Sequence, residues 1–433
     1  MEEGQIMSKL GYRKLLAGLM AMLMLLGAFG AGSQAQAAEK TKVVFWYLWG
    51  GTEGEVIQEA IDAFNAQSDT VEVEGLSVPD SQKILAAIAA GNGPDVVDDF
   101  STNIGLMASS GVLEPLDTYI EKTQYDLSRF VPAAVEACRM DGILYSMPIS
   151  LNLMGLYYNK TLLKEAGFES EPKTLEEMYD MAVATTKVNA DGTLDVCGFP
   201  DFPFVYYTNN FAVASGGGWY TEDGKPAAAD NAGNKLALEL TRNYREKFGL
   251  ENVVRFQASG KYFDPTDPFV IGKQTFRVDG PWLGKNVREV LLSDIDYGVC
   301  YIPYPQDHPE LEGRALVSSS TMYIASNAKD KDAAWDFISW FCTEGGQNLM
   351  ASKMGNFPSY LALLENEDML GGYDMDFYIR LAQSPNLVSV PNGPDNGEYD
   401  MMIGEEVEQC VNLKQDIDTT LKNIFEKGQR ILN

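Results

Sequence analysis

Residues 42–64, KVVFWYLWGGTEGEVIQEAIDAF, carry the pattern on which the fold prediction rests. After one lysine, residues 43–46 are all β-branched or aromatic, which indicates a buried strand. A glycine-rich loop follows at residues 48–54, and from Glu55 onward the apolar side chains recur at helical spacing. The stretch therefore predicts a strand, a loop and an amphipathic helix, in that order.

The alternation of strand and helix continues along the chain. Residues 71–78 predict a second strand, residues 84–89 a helix, and residues 95–99 a short strand with acids at its carboxyl end. Such alternation is typical of a largely parallel α/β sheet, whose ligands bind outside the carboxyl ends of the strands. We therefore expect ligand contacts at residues 49–53 and 98–101.

Later segments add helices and turns. Helical patterns lie at residues 231–247, 332–342 and 405–430, and turn signals lie at Asp191-Gly192 and Asp223-Gly224.

The N-terminus has the signature of a secretory signal peptide. Basic residues precede an apolar run from Leu15 to Phe29. Small residues follow the run and end with Ala35-Gln36-Ala37. That run has about 15 residues, fewer than the roughly 20 that a membrane-spanning helix needs. We therefore expect residues 1–37 to be a signal peptide and the mature protein to be secreted, to a periplasm or the outer face of the envelope. Because no cysteine lies near the cleavage site, we expect no lipid anchor.

Composition excludes several classes of protein. The 433 residues include 62 acids against 33 lysines and arginines, a formal charge of −29 that repels nucleic acid and anionic lipid. A chain of this length is too long for one core, so two lobes are expected. The five cysteines are odd in number and far apart, which argues against a disulfide scaffold and leaves one disulfide open.

Catalysis is not favoured by the residues present. His308 is the only histidine and lies in a polar stretch that predicts a loop. The chain has no Gly-x-Ser-x-Gly elbow, no phosphate loop and no dinucleotide fingerprint. A carboxylate pair for glycoside hydrolysis stays open among so many acids. We predict a protein that is not an enzyme and that uses no cofactor and no metal.

A specific motif lies at residues 148–159, PISLNLMGLYYN, with Leu163 and Glu165 after it. This segment resembles the signature of the family 1 extracellular solute-binding proteins of ABC importers, in particular the sugar-binding type. Other segments resemble the same family in the same order: Phe45-Trp46, Gly91 to Val96, Asp279-Gly280-Pro281-Trp282, Tyr301 to Pro305, Ser318-Ser319-Ser320 and Val390-Pro391-Asn392.

The resemblance implies a two-lobe periplasmic-binding-protein fold of the type II kind. Each lobe would be α/β, with a mixed and mostly parallel sheet flanked by helices, and three crossovers would join the lobes. Matching the motifs places the crossovers near Ser150, residues 317–320 and residues 365–371. The N-terminal lobe would contain residues 38–150 plus 317–368, and the C-terminal lobe residues 151–316 plus 369–433.

The resemblance also implies a set of ligand-binding residues in the cleft. Flat aromatic side chains can stack on the apolar faces of sugar rings, while short polar groups bond the hydroxyls. The aromatic candidates are Trp49, Trp219, Trp282 and Tyr399. The polar candidates are Gly50, Glu53, Asp99, Ser101, Asn152, Asp279, Ser319 and Asn392.

The implied function is capture of a small molecule, most simply a mono- or oligosaccharide, by closure of the lobes. The partners would be the membrane subunits of an ABC importer, and the binding protein itself would be a monomer. A polyamine, an amino acid or a glycerol phosphodiester remains an alternative ligand, with Lys273, Arg277 and Arg380 as the nearest basic side chains. A ligand sensor that serves a receptor kinase would have the same sequence features.

Overall fold

The structure is a computed structural model that describes residues 39–200, 206–365 and 373–432. The predicted signal peptide and all but the first residue of the third predicted crossover lie outside the described residues. Within the described ranges, no helix combines the length and the apolar character that crossing a bilayer requires.

The described strands are numbered in chain order. They are β1 Thr41–Tyr47, β2 Val71–Ser77, β3 Val96–Phe100, β4 Arg139–Met140, β5 Ile143–Leu144, β6 Met147–Asn152, β7 Gly155–Asn159, β8 Lys187–Val188, β9 Leu194–Val196, β10 Phe276–Asp279, β11 Tyr297–Cys300, β12 Ala315–Ile324 and β13 Leu387–Ser389.

The described α-helices are numbered in the same way. They are α1 Gly51–Gln67, α2 Ser81–Ala89, α3 Ile104–Ser109, α4 Asp117–Thr123, α5 Pro132–Glu136, α6 Lys160–Glu165, α7 Leu175–Thr185, α8 Tyr206–Ala214, α9 Ala232–Phe248, α10 Leu250–Gln257, α11 Trp282–Lys285, α12 Lys331–Trp340, α13 Gly346–Leu349, α14 Leu361–Leu364, α15 Met375–Ala382, α16 Asn396–Val411 and α17 Ile417–Ile431.

The first sheet has six strands in the order β13-β12-β3-β1-β2, and β6 also pairs with β12. Strand β1 is parallel to β2 and β3, and β12 is parallel to β13. Strand β12 is antiparallel to β3 and β6. The prediction of a mixed sheet is therefore confirmed here, and we call the part of the chain around this sheet the first lobe.

Side chains of β1 alternate between two cores, as a strand buried on both faces requires. Val43, Phe45 and Tyr47 pack into one hydrophobic cluster, whereas Trp46 packs against a second cluster that contains Val97. The glycine-rich loop then leads into α1, whose buried face is Gly54, Ile57, Ala60, Ile61 and Phe64. The predicted order of strand, loop and amphipathic helix is confirmed.

The second sheet has three strands, with β7 between β10 and β11. Both neighbours are antiparallel to β7, which differs from the mostly parallel arrangement predicted for each lobe. Leu156 and Tyr158 face one core and Tyr157 faces the other, so this sheet too is covered on both sides. We call the part of the chain around it the second lobe.

Helix starts follow the short polar side chains of the sequence. Asp80, Asp330 and Asp416 each accept a hydrogen bond from a backbone N–H in the first turn of α2, α12 and α17. Thr174 and Glu177 form a capping box at α7. Because these N–H groups lack partners within the helix, the caps fix where each helix begins.

Most of the later elements match the predictions. The patterns at 231–247 and 332–342 are α9 and α12. The pattern at 405–430 covers the C-terminal part of α16 and nearly all of α17, two helices separated by a turn. Asp191-Gly192 closes the hairpin β8–β9, where Gly192 has a φ of 86°. Gly224 also adopts positive φ, at 74°.

Strand β12 pairs with three other strands along its length. Residues 315–317 pair with β13, residues 318–322 with β6, and residues 320–324 with β3. The register with β6 shifts between Ser320 and Thr321. This irregularity lies next to the crossover predicted at residues 317–320.

All five cysteines, at positions 138, 197, 300, 342 and 410, are free thiols. The disulfide that the sequence left open does not form.

Candidate functional site

The carboxyl ends of β1 and β3 lie side by side. The backbone N–H of Leu48, just after β1, donates to Asp98 Oδ1 at 2.6 Å. The ring of Trp49 meets the ring of Phe100 edge to face, with centroids 6.4 Å apart. Phe100 is 39% exposed and Trp49 is half-buried, so this edge of the first sheet presents an aromatic surface.

Asp98 is buried beneath this surface, with 1% of its area exposed. Burial raises its pKa to about 8, the neighbouring Asp99 adds to the rise, and the hydrogen bond from Leu48 opposes it. The nearby indole N–H of Trp49 also lowers the pKa of Asp98. In this structure that N–H has no hydrogen-bond partner among the described residues. The site therefore contains a carboxyl group that is largely protonated at neutral pH.

Asp99, a predicted ligand contact, is 1% exposed and acts within the protein. Its Oδ1 accepts from Ser81 Oγ at 3.1 Å, from the Phe100 N–H at 2.8 Å and from Asn103 Nδ2 at 2.7 Å. Burial raises its pKa as well. These bonds all involve Oδ1, whereas Oδ2 has no hydrogen-bond partner among the described residues, so Asp99 stays a predicted ligand contact.

Ser101 and Ser319 are also buried and bonded to each other. The Ser319 N–H donates to Ser101 Oγ at 3.0 Å, and Ser319 Oγ donates to the carbonyl of Ser150. These predicted contacts instead tie the end of β3 to the two strands at the crossovers. Asn152 is half-buried at the end of β6, where the chain leaves the first sheet.

Gly50 and Glu53 lie at the start of α1 and are exposed. Desolvation raises the pKa of Glu53 even though water reaches its side chain. Glu53 stays a predicted acceptor for a ligand hydroxyl.

The Asp279-Gly280-Pro281-Trp282 motif forms the end of β10 and the start of α11. Asp279 is 4% exposed, and its Oδ1 accepts from the Gly280 N–H at 2.8 Å. Burial raises its pKa to about 6 against the opposing charge of Arg277. Its Oδ2 has no hydrogen-bond partner among the described residues, so Asp279 stays a predicted ligand contact. Trp282, the last residue of the motif, is half-buried.

Helix α11 lies against the first lobe. Lys285 Nζ donates to the carbonyl of Ser352 at 2.7 Å. A side chain on Gly355 would begin 3.5 Å from the Cα of Trp282. The segment that contains Ser352 packs in turn against α1, which carries Glu53. Trp282 therefore lies at the boundary between the lobes.

Two aromatic side chains that were predicted to stack on the ligand are core residues. Tyr399 is fully buried, and its hydroxyl donates to the Trp219 carbonyl at 3.0 Å. Trp219 is 6% exposed, and its indole N–H donates to Asn209 Oδ1 at 2.5 Å. Since neither ring presents a face to the surface, we withdraw both as stacking residues.

Their chain neighbours occupy the exposed positions instead. Tyr220 is half-buried, and its hydroxyl donates to Asp400 Oδ1 at 2.7 Å. Asp400 is exposed, and desolvation raises its pKa while the hydrogen bond from Tyr220 opposes the rise. Helix α16, which carries Asp400, packs against the turn at residues 101–103 after β3. The sequence prediction missed this pair; the adjacent polar and aromatic residues were its only signal.

Asn392 ties together distant parts of the chain. Its Nδ2 donates to the carbonyls of Ala137 at 2.8 Å and Arg139 at 2.9 Å. A side chain on Gly105 would meet the Gly393 carbonyl oxygen at 2.2 Å, so the backbones touch here. The amide nitrogen of Asn392 thus serves an internal contact in this structure, and its role as a ligand contact stays a prediction.

Comparison with known proteins defines the class of the chain. Residues 49–348 match the family model of the bacterial extracellular solute-binding proteins. Because the match covers well over half of the chain, the protein belongs to that family, whose members are binding proteins located outside the cytoplasm.

Two relatives illustrate the range of the family. A maltotriose-binding protein of Pyrococcus abyssi is 29% identical over 305 residues, which are 70% of this chain and 62% of that protein. The chain thus matches less than two thirds of that relative. An sn-glycerol-3-phosphate-binding periplasmic protein of Brucella abortus is 24% identical over 442 residues, covering 95% of this chain and 97% of that protein.

Solved structures show the same two-lobe fold. CpMnBP1 with mannotriose bound has a TM-score of 0.79 and 24% identity, with 90% of this chain and 100% of that chain covered. The sugar-binding protein MalE of Xanthomonas citri has a TM-score of 0.74 and 24% identity, with 90% and 97% covered.

Proposed function

We propose that this protein binds a neutral oligosaccharide between its lobes and delivers it to an ABC importer. The proposal is supported by relatives and structural neighbours whose names record maltotriose and mannotriose. Trp49 and Tyr220 on loops, Phe100 at the end of β3 and Trp282 on α11 supply partly exposed rings. Rings of this kind suit the apolar faces of sugars.

The observation that carries the proposal is the charge of the site. Two exposed acids, Glu53 and Asp400, lie on elements next to the strand ends, whereas buried Asp98 is largely protonated and adds no charge. Nearby cations are already engaged: Arg277 bonds Asp267, Lys285 bonds a backbone carbonyl, and Lys353 pairs with Glu59. A phosphate would meet carboxyl groups there, whereas sugar hydroxyls could donate to them.

The mechanism we propose is hinge closure. A ligand that touches both lobes binds the closed state better than the open state and shifts the population toward it. A swing from 1:99 to 99:1 needs a preference of about 5.5 kcal/mol. Several hydrogen bonds at about 1 kcal/mol each, together with ring stacking, reach that value.

Replacing Asn392 with alanine is expected to weaken ligand binding about 5- to 10-fold. On the proposed boundaries the substitution removes two hydrogen bonds between the lobes, each worth about 0.5–1.5 kcal/mol, and so disfavours the closed state. Calorimetric titration with the oligosaccharide selected below measures the change.

Asn386→Ala is the matched control. Asn386 Nδ2 also donates to two carbonyls, those of Glu310 at 2.9 Å and Glu312 at 3.0 Å. On the proposed boundaries, however, all three residues belong to the C-terminal lobe. This variant should bind the sugar as the parent protein does. Equal affinity in all three proteins would mean that the hydrogen bonds of Asn392 persist in the open form. The proposal that these bonds stabilise the closed state would then be wrong.

A thermal-shift screen of the protein from Ala38 onward tests the ligand class, with maltotriose, mannotriose and sn-glycerol 3-phosphate as probes. A ligand at a hundredfold excess over its dissociation constant stabilises the folded state by about 2.7 kcal/mol. We expect a shift with an oligosaccharide, about 10- to 30-fold weaker binding in Trp282→Ala because a stacking ring is lost, and no shift with the phosphate. A shift with the phosphate alone would keep the family and reject the sugar.

The remaining parts of the proposal follow from the family and the sequence. We propose export by the segment at residues 1–37, no lipid anchor, a monomeric protein and no catalytic activity. We retain the predicted lobe boundaries, residues 38–150 plus 317–368 and 151–316 plus 369–433. Each can be checked on the natural protein, by its N-terminal sequence, its mass and its behaviour in solution.

A further inference from the structure

The hydroxyl of Tyr262 lies between a buried carboxylate and the indole of Trp282. It donates to Asp279 Oδ1 at 2.9 Å and accepts from Trp282 Nε1 at 3.0 Å. A phenol can do both at once, because it has one proton and free lone pairs. The orientation of the indole is therefore linked through one hydroxyl to the orientation of the carboxylate.

The carboxylate at the base of this chain has a single orientation. Asp279 Oδ1 also accepts from the Gly280 N–H at 2.8 Å, and Arg277 Nε lies 4.0 Å from its Oδ2. Arg277 is itself fully buried and bonded to Asp267 at 2.8 Å. Buried groups held from several sides do not rotate, so the acceptor for Tyr262 is fixed.

The ring of Tyr262 is held as well. The Arg277 guanidinium carbon is 5.5 Å from its centroid, and the ring of Phe263 stacks on it at 3.8 Å. Phe263 has a φ of 54°, a left-handed conformation that is costly for a bulky residue. Asp267 Oδ2 accepts from the Phe263 N–H at 3.3 Å and helps to hold this conformation. Such strain persists where the surroundings impose it, and it is concentrated at functional sites.

Gly280 supports the indole from another side. A side chain at this position would begin 2.4–2.6 Å from three ring atoms of Trp282. The indole therefore packs on bare backbone, and the glycine of the motif is explained by this approach. With Gly280 against its ring and Tyr262 on its N–H, the indole has no freedom to turn.

We propose that Tyr262 is a positioning residue that presets the indole of Trp282 as a wall for a sugar ring. This inference rests on the proposed function. An indole that is free to turn has to be ordered when the ligand arrives, and that ordering weakens binding. A preset indole avoids the loss, so the hydroxyl of Tyr262 strengthens binding without touching the ligand.

Tyr262→Phe tests the proposal, because it removes the hydroxyl and keeps the ring. We expect calorimetric titration with mannotriose and maltotriose to show about 2- to 12-fold weaker binding, the cost of ordering one side chain when the ligand binds. We also expect a smaller near-ultraviolet circular dichroism signal from tryptophan in the ligand-free protein. That loss should disappear when the substitution is made in a Trp282→Phe background.

Tyr304→Phe is the matched control, a half-buried tyrosine in the same lobe with no side-chain hydrogen bond among the described residues. It should leave the affinity and the spectrum unchanged. An unchanged affinity and spectrum in Tyr262→Phe would overturn the proposal, as would a lower melting temperature with unchanged affinity. If neither sugar binds the parent protein, the proposed function fails, and the ligand-free spectrum still decides whether Tyr262 orders the indole.

Discussion

Replacing Asp267 with alanine is expected to lower the free energy of unfolding by about 3–5 kcal/mol. Asp267 and Arg277 are both fully buried, with Arg277 Nη2 at 2.8 Å from Oδ1 and 2.9 Å from Oδ2. Asp267 Oδ1 also accepts from the Phe269 N–H at 2.9 Å. The substitution leaves a buried guanidinium without its carboxylate and a backbone donor without an acceptor, and both losses are costly in a low-dielectric interior.

Urea denaturation of the ligand-free protein measures this effect. Asp195→Ala is the control, because Asp195 forms a pair with Lys273 at 2.8 Å in which both side chains are about half exposed. Exposed pairs are worth about 0–1 kcal/mol. A loss below about 1 kcal/mol in Asp267→Ala would show that the buried pair does not support the fold.

Asp98→Asn is expected to stabilise the protein at alkaline pH by up to about 5 kcal/mol and to have little effect at pH 3. The pKa of Asp98 is raised from 3.8 to about 8, first because burial desolvates the carboxylate and then because Asp99 lies beside it. Between these two values the folded state binds the proton that the unfolded state has released. Stability contributed by this group is therefore greatest below pH 3.8 and is lost as pH rises toward 8.

The measurement is the free energy of unfolding of both proteins between pH 3 and 9. The difference between them should grow by about 1.4 kcal/mol per pH unit across the window and then level off. Asparagine can still accept from the Leu48 N–H, so the local hydrogen bond is retained. A difference that does not depend on pH would mean that Asp98 is ionised in the folded protein at neutral pH.

Much of the fold could be predicted because the pattern of apolar residues reports burial directly. The run at residues 43–46 alternates between two cores in the structure, and the helical spacing after Glu55 becomes the buried face of α1. The direction of the strands in the second sheet could not be read in this way. A strand buried on both faces has the same composition whether its neighbours run parallel or antiparallel to it.

The candidate site was predicted at the level of segments and less well at the level of side chains. The loops after β1 and β3 do meet, as strand order implied. In two adjacent pairs, however, the predicted residue is buried and its neighbour is more exposed: Trp219 beside Tyr220, and Tyr399 beside Asp400. Which of two neighbours faces outward depends on the phase of a helix or hairpin against the core, and residue type does not determine that phase.

The position of β12 along the chain has a consequence for how the protein acquires its fold. Its partner β3 ends at residue 100, whereas β12 ends at residue 324 of 433. The central pairing of the first sheet therefore joins segments more than two hundred residues apart, and such long-range contacts form slowly. Until β12 has been synthesised, β3 has no partner on that side and the central pairing of the sheet cannot form. A chain that has not yet reached residue 324 therefore lacks the central pairing of its first sheet, whatever its other parts have already formed.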